Sequence, residues 1–307
     1  MTKWHQDEEE KMVSSLCCRL PNGMRRKMGG TQQNHILGDG TSFWNFFNSW
    51  AELSRGFHQP STTPIHQRWF PGNTPCPIHL PPMTEPGARL RLSSPPFPER
   101  ILHLSKQNIA KLKQKLNSQM GTTAISSLQS YMGHLWRSIT RARNLDGNED
   151  VHLFLGIGTR PRVHLPEGYW GNGLYFKKVT LKAGEVVGKG VGWVACQIKE
   201  TVEKQSEEEV MKQYSNWLKS PALVGGELFS VNTVTISSSP WYNVYGTDFG
   251  WGKPVRVRSG GANKLDGKVT LFAGCEEGSV DIELSINPHT LHQLQNDSEF
   301  LEYVTIS

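Results

Sequence analysis

The sequence contains no CxxC pair, and its five cysteines, Cys17, Cys18, Cys76, Cys196 and Cys275, are odd in number. Adjacent Cys17 and Cys18 cannot readily close a relaxed disulfide on each other or share one tetrahedral metal. A disulfide framework and a zinc module are therefore excluded, and reduced thiols in a cytoplasmic protein are the expectation. Long apolar runs are also missing. Nothing approaches the roughly 20 apolar residues that span a bilayer. Residues 1–6 lead into Asp7 and three glutamates rather than into an apolar signal core. Secretion and membrane insertion are not expected. The net charge is +5 and the pI about 8.9. The basic residues are scattered, with no Lys/Arg run interleaved with aromatics, so a nucleic-acid partner is not expected either. There are no internal repeats.

What is present is enough chain, 307 residues, to bury a sizeable core and to divide into two lobes. Residues 1–33 are polar, lack a clear period and are expected to be without regular structure. A helix is expected from Thr41, with Phe43, Phe46, Phe47, Trp50, Ala51 and Ser54 on one face and Gly56 just past its end. Residues 58–98 hold most of the prolines, including Pro81-Pro82 and Pro95-Pro96. They read as an extended crossover linking two lobes. Beyond it, Ser105 caps a helix carrying Ile109, Leu112 and Leu116, and residues 126–143 form a longer one with Leu128, Leu135, Trp136, Ile139 and Ala142 inward. Val151–Gly158, Leu228–Ile236 and Val269–Ala273 read as strands and Glu207–Leu218 as a helix. Val280, Ile282, Leu284 and Ile286 alternate with Asp281, Glu283 and Ser285, the pattern of a half-buried strand. Asn287-Pro288 opens a final helix. Helices and strands without strict alternation point to an α/β or α+β two-lobe fold.

Two motifs carry the candidate chemistry. The first is His35-Ile36-Leu37-Gly38-Asp39-Gly40, a turn immediately ahead of the aromatic helix. A neutral imidazole there can accept a proton from a hydroxyl or amine. Asp39 either orients that imidazole, bonds its own backbone as an Asp-Gly turn does, or pairs with a buried arginine. Zinc held by His35 and Asp39 lacks a third suitably spaced ligand. The second motif, Asp248-Phe249-Gly250-Trp251-Gly252, combines a carboxylate, two glycines and two rings. It is either a catalytic loop or an aromatic turn that pins itself to a core. A third segment, Arg160-Pro161-Arg162 through Gly168-Tyr169-Trp170-Gly171-Asn172, leaves a strand with two arginines flanking a turn.

His35-x-x-x-Asp39-Gly40, the Arg160–Asn172 segment and Tyr245-Gly246-Thr247-Asp248-Phe249-Gly250-Trp251-Gly252-Lys253-Pro254 resemble the three signature regions of the plant BAHD acyltransferases. TSFWNFFNSWAELSRG, residues 41–56, and LWRSITRAR, residues 135–143, are similar to the sequence around them. The resemblance runs from about Asn34 to the C-terminus. It implies a two-lobe chloramphenicol-acetyltransferase-like fold with mixed sheets, whose lobes form a channel entered by donor and acceptor from opposite faces. It implies transfer of an acyl group from acyl-CoA, as co-substrate, to a hydroxyl or amine of a plant specialised metabolite. His35 would be the general base, with Asp248 often counted beside it although mainly structural. Asp39 would turn away from the imidazole to pair with an arginine, Arg160 first and Arg162 second. Gly40, Gly250, Trp251 and Gly252 would support the site. No metal and no bound cofactor are implied, and the protein would be a cytoplasmic monomer.

Family members carry a longer stretch before the histidine than residues 1–33, and residues 28–34 are polar and glycine-bearing where a central strand would stand. The expectation is therefore an N-terminally truncated member with an incomplete first lobe. It comprises an atypical segment 1–33, a lobe remnant 34–57 with the histidine turn, the linker 58–98 and a C-terminal lobe 99–307. An inactive remnant of the fold and a lyase on the same scaffold are the alternatives.

Overall fold

A computed structural model describes residues 11–18, 27–72, 74, 97–221, 230–260 and 264–306. Contacts divide the chain into two units. The first comprises Met1–Arg68, Pro166–Gly173 and Trp241–Asn263; the second comprises Trp69–Leu165, Leu174–Pro240 and Lys264–Ser307.

The first unit is built on strands β1 (Lys11–Cys18), β2 (Lys27–Asn34) and β7 (Pro254–Ser259) and helix α1 (Gly40–Ser54). The strands form one antiparallel sheet in the order β2-β1-β7. Lys11 lies opposite Asn34 and Cys18 opposite Lys27, while Leu16 faces Val257 on the other side. The expectation that residues 1–33 lack regular structure is thus corrected for residues 11–18 and 27–33; residues 1–10 and 19–26 lie outside the described residues. Pairing with β7, more than two hundred positions away, supplies what local propensity does not. Among the described strands β2 ends the sheet order. A polar strand with two glycines is tolerated there although it would be poor in a sheet centre. The division at residue 99 is corrected too, because Pro166–Gly173 and Trp241–Asn263 belong with the histidine turn. So does the start of the proline-rich stretch, where Ile65 makes a parallel bridge with Tyr169. Residues 73 and 75–96 of the expected linker lie outside the described residues.

Helix α1 begins where the sequence places it, one residue early, with Asp39 as its cap. Its buried face is Phe43, Trp44, Phe47 and Ala51. Phe46 and Trp50, expected inward, are 45% and 46% exposed. The stripe of rings is wider than the buried arc, so its outer members stay partly in solvent.

The second unit carries β3 (Glu99–Leu104), β4 (Asp150–Gly158), β5 (Leu174–Lys182), β6 (Thr233–Ser238), β8 (Lys268–Ala273), β9 (Val280–Ser285) and β10 (Thr305–Ile306). They form one mixed sheet in the order β10-β3-β9-β8-β6-β4-β5, with β4/β6 and β6/β8 parallel. Helices α2 (Lys106–Gln119), α3 (Ser127–Arg143), α4 (Ala183–Gly188), α5 (Gly190–Glu203), α6 (Glu207–Lys219), α7 (Pro288–Gln295) and α8 (Ser298–Leu301) complete the unit. Its core joins Leu135, Trp136 and Ile139 of α3 to Val194 and Ile198 of α5 and to Leu153, Val269 and Ile282 of the sheet. A Cβ on Gly133 would stand 3.2–3.3 Å from the Ala195 backbone, so α3 and α5 approach closely at that point. A Ser126/Gln129 capping box starts α3, and Asn144, in the left-handed region, ends it.

Three sequence readings change here. The strand expected at Leu228–Ile236 begins at Thr233, after a turn closed by the Ser230 and Thr233 hydroxyls; residues 228 and 229 lie outside the described residues. Strand β9 is buried on both faces, not one: Asp281, Glu283 and Ser285 are all inside. Distant partners make that tolerable, since His103 binds Asp281 at 2.8 Å and Lys264 joins Glu283 and Glu99. Finally, β3, β5, β7, β10, α4, α5 and α8 have no counterpart in the sequence reading. Lysines interrupt β5, glycines dilute α4 and α5, and β7 starts on Pro254.

Candidate active site

All of the histidine turn and the aromatic loop falls within the first unit. Strand β2 delivers the chain to a turn at residues 35–37, and α1 takes it away from Gly40. His35 is half-buried at the head of that turn. Among the described residues its imidazole has no hydrogen-bond partner; only its backbone carbonyl is engaged, by Asn172. The ring is therefore not oriented by Asp39.

The Asp39 carboxylate is buried, 2% exposed, and each of its oxygens accepts from a backbone amide. Oδ1 accepts from Ser42 N at 3.0 Å, capping α1, and Oδ2 accepts from Gly173 N at 2.9 Å. The Asp39 amide donates to the Gly171 carbonyl at 3.3 Å. Ser42 completes the joint. Its hydroxyl donates to the Gly171 carbonyl and accepts from the Gly171 amide, both at 3.0 Å. The turn at Gly171–Gly173 is in this way bonded to the first turn of α1. Gly40 is confined for a different reason: a Cβ there would lie 2.5 Å from the Tyr242 hydroxyl.

Asp248 folds back on its own loop. Its Oδ1 accepts from Gly250 N at 2.8 Å and from Gly252 N at 3.0 Å. Both glycines have positive φ, 88° and 91°, which is why side-chain-bearing residues are unsuited there. The Phe249 ring lies 5.3 Å from Phe47 and 5.3 Å from Trp50, and Trp251 packs 5.9 Å from Phe249. Arg55, just past α1, stands 3.9 Å from the second Asp248 oxygen. Thr247 donates to the Asn48 side chain at 2.6 Å, and Asn48 donates to the Asn243 carbonyl at 3.1 Å. The loop is thus docked along α1 by rings and polar contacts together.

The arginines lie in the second unit. Arg160 is half-buried in the turn after β4. Arg162, the second choice as partner of Asp39, gives its guanidinium to the Gln205 carbonyl at 2.6 Å and to the Gly158 carbonyl. The stretch Thr159–Val163 turns back on itself, the Arg162 and Val163 amides both donating to the Thr159 carbonyl. Sequence reasoning passed over Ser42, Arg68, Asn172 and Tyr242. Ser42 and Asn172 stood inside recognised segments without a role, and nothing local marked Arg68 or Tyr242. Among the described residues no group of three or more His, Cys, Asp or Glu could hold a metal ion, and no helix is long and apolar enough to cross a membrane.

Chemically, the arrangement offers one half-buried imidazole on a stiffened turn, with the Asp39 carboxylate accepting the Ser42 and Gly173 amides and Asp248 bonded within its own loop. It can take a proton from a hydroxyl or amine brought to it. Residues 28–301 match the family model described as Transferase family. The chain is 36% identical over 282 residues to an uncharacterized acetyltransferase of Arabidopsis thaliana, covering 89% of this chain and 64% of that protein. It is 31% identical over 287 residues to the BAHD acyltransferase DCR of the same plant, covering 89% of this chain and 59% of the relative. The chain therefore spans less than two thirds of the length of these relatives. Among solved structures, TRI101 of F. graminearum, crystallised with coenzyme A and T-2 mycotoxin, superposes with a TM-score of 0.73 at 15% identity, covering 92% of this chain and 67% of that one. At that identity the likeness shows the fold, and it bears out the mixed-sheet α/β class expected from the sequence.

Proposed function

This chain belongs to the Transferase family, the BAHD acyltransferases, and on that premise we propose that it transfers an acyl group from acyl-CoA to a hydroxyl or amine of a plant specialised metabolite, with His35 as general base. His35 takes the acceptor proton as the acceptor oxygen or nitrogen attacks the thioester carbonyl. The tetrahedral intermediate then collapses, the C–S bond breaks, and the coenzyme A thiolate leaves and receives that proton. Cytoplasmic location, a monomeric state and independence of metal or bound cofactor belong to the same proposal.

The observation that carries it is the division of labour in the turn. Asp39 accepts the Ser42 and Gly173 amides, while the His35 imidazole is unpartnered among the described residues and half-buried. A structural histidine would have its ring nitrogens engaged; this one has only its carbonyl held. The test is release of free coenzyme A from acyl-CoA in the presence of alcohol and amine acceptors. His35→Ala should lose at least about a hundredfold of that rate. A well-folded protein that releases nothing across a broad panel, or a His35→Ala variant as fast as its parent, would refute the proposal.

A further inference from the structure

Among the described residues the His35 ring has no hydrogen-bond partner, and its backbone is held from outside. Asn172 donates its side-chain N–H to the His35 carbonyl at 2.7 Å. Arg68 donates one guanidinium N–H to the Leu37 carbonyl at 3.2 Å and another to the Trp170 carbonyl at 3.0 Å. Gln33 donates to the Gly38 carbonyl at 3.1 Å. From inside the turn, the Asn34 side chain accepts from Ile36 N at 2.9 Å, and the Asn34 carbonyl accepts from Leu37 N at 3.0 Å. Four carbonyls, those of Asn34, His35, Leu37 and Gly38, and two amides, those of Ile36 and Leu37, are thus fixed.

The route by which Arg68 arrives is itself built. Ile65 N donates to the Gly168 carbonyl and Trp170 N to the Ile65 carbonyl, each at 2.9 Å, stitching residues 65–68 along residues 168–170. Gly168 has φ +81°, and a Cβ there would stand 2.2 Å from the Thr63 carbonyl oxygen. A Cβ on Gly171 would stand 2.7 Å from the Arg68 guanidinium. Two positions without side chains therefore let this strap and its arginine lie against the turn that bears Asn172.

We propose that Arg68 and Asn172 are positioning residues for His35, a two-point clamp that narrows the orientations of an imidazole with no hydrogen-bond partner among the described residues. The proposal rests on the reading of His35 as the base. A charged donor spanning two carbonyls is the stronger of the two holds, because ionised donors make the stronger bonds. Fixing the turn contributes to rate by orientation, where a misplacement of about 1 Å can cost on the order of a hundredfold.

The experiment compares Asn172→Ala, Arg68→Met and Arg68→Lys with the parent, reading steady-state kinetics and hydrogen exchange by mass spectrometry. The clamp predicts a kcat loss of about tenfold to a hundredfold for Asn172→Ala and Arg68→Met, with KM for acyl-CoA unchanged. Arg68→Lys, which keeps the charge but reaches one carbonyl, should fall between. Exchange should quicken across residues 34–40 and stay parental in α3. Parental kcat in both Asn172→Ala and Arg68→Met would overturn the clamp, as would faster exchange spread over the whole chain. A parent without turnover would remove the base reading alone. The exchange at residues 34–40 would then still decide the clamp, local quickening upholding it and parental exchange ending it.

Discussion

The Asp39 carboxylate accepts the Gly173 amide at 2.9 Å across 134 positions of sequence, while its other oxygen caps α1 through Ser42. One buried side chain thereby joins the start of a helix to a distant loop. Asp39→Asn keeps one accepting oxygen and replaces the other by a donor, so an amide is left facing an N–H. The expected loss is about 1–3 kcal/mol of folding stability. Asp39→Ala removes both acceptors and a helix cap worth about 0.5–2 kcal/mol in itself, so it should cost more than the Asn variant. Urea titration of the three proteins measures this. An Asp39→Ala midpoint equal to the parental one would remove Asp39 from the framework of the site.

Asp248 poses the opposite question, because its charge is dispensable for the bonds it makes. A single oxygen accepts both Gly250 N and Gly252 N, and an asparagine can present that oxygen equally well. The Arg55 contact at 3.9 Å, with both side chains partly exposed, adds little. Asp248→Asn should keep the parental melting temperature and turnover. Asp248→Ala should lose about 0.5–1.5 kcal/mol and loosen the Phe249 and Trp251 rings from α1. Turnover lost in Asp248→Asn with melting unchanged would mean that the charge enters the chemistry.

The contrast between these two aspartates shows what could be read from sequence and why. The start of α1 was legible because Asp39-Gly40 punctuates the chain just before a helical stripe of rings. The docking of the Asp248–Gly252 loop was legible as one of two readings, since its rings and glycines mark an aromatic turn that pins itself to a core. Both signals are local. Strands β1 and β2 were not legible, because a polar sequence becomes a strand there only through β7, and the pairing partner is remote. Arg68 was hidden in a proline-rich run whose composition reads as a spacer, while its function depends on carbonyls of Leu37 and Trp170. The burial of Asp281 and Glu283 reversed a clean alternation for the same reason: His103 and Lys264 reach them from other segments. Whatever depends on a partner far along the chain is silent in a periodicity.

The second unit carries a pH dependence independent of the candidate site. His134 is buried, stacked on Phe300 with ring centroids 5.6 Å apart, with Nε2 3.2 Å from the Phe300 carbonyl. Burial pushes its pKa below the usual 6.5, against the pull of that carbonyl and of Glu299 and Asp297 and with a smaller push from Arg141. Glu299 moves by different forces. Partial burial pushes it up, but hydrogen bonds and charge from Arg137 and Arg141 prevail and hold it at about 2, against the usual 4.5. In both cases the unfolded chain takes its proton first, so both contributions are present at neutral pH and are lost as pH falls. His134 acts from 6.5 downward, Glu299 between 4.5 and about 2. Glu299 is 42% exposed on its side chain, so solvent screening makes its step the shallower one. Urea unfolding from pH 7 to pH 3 should therefore show stability declining in two stages. His134→Phe, which keeps the stacking, should flatten the first stage, and Glu299→Gln should flatten the second while lowering stability at neutral pH. A decline below 6.5 that survives His134→Phe undiminished would assign the first stage to another group.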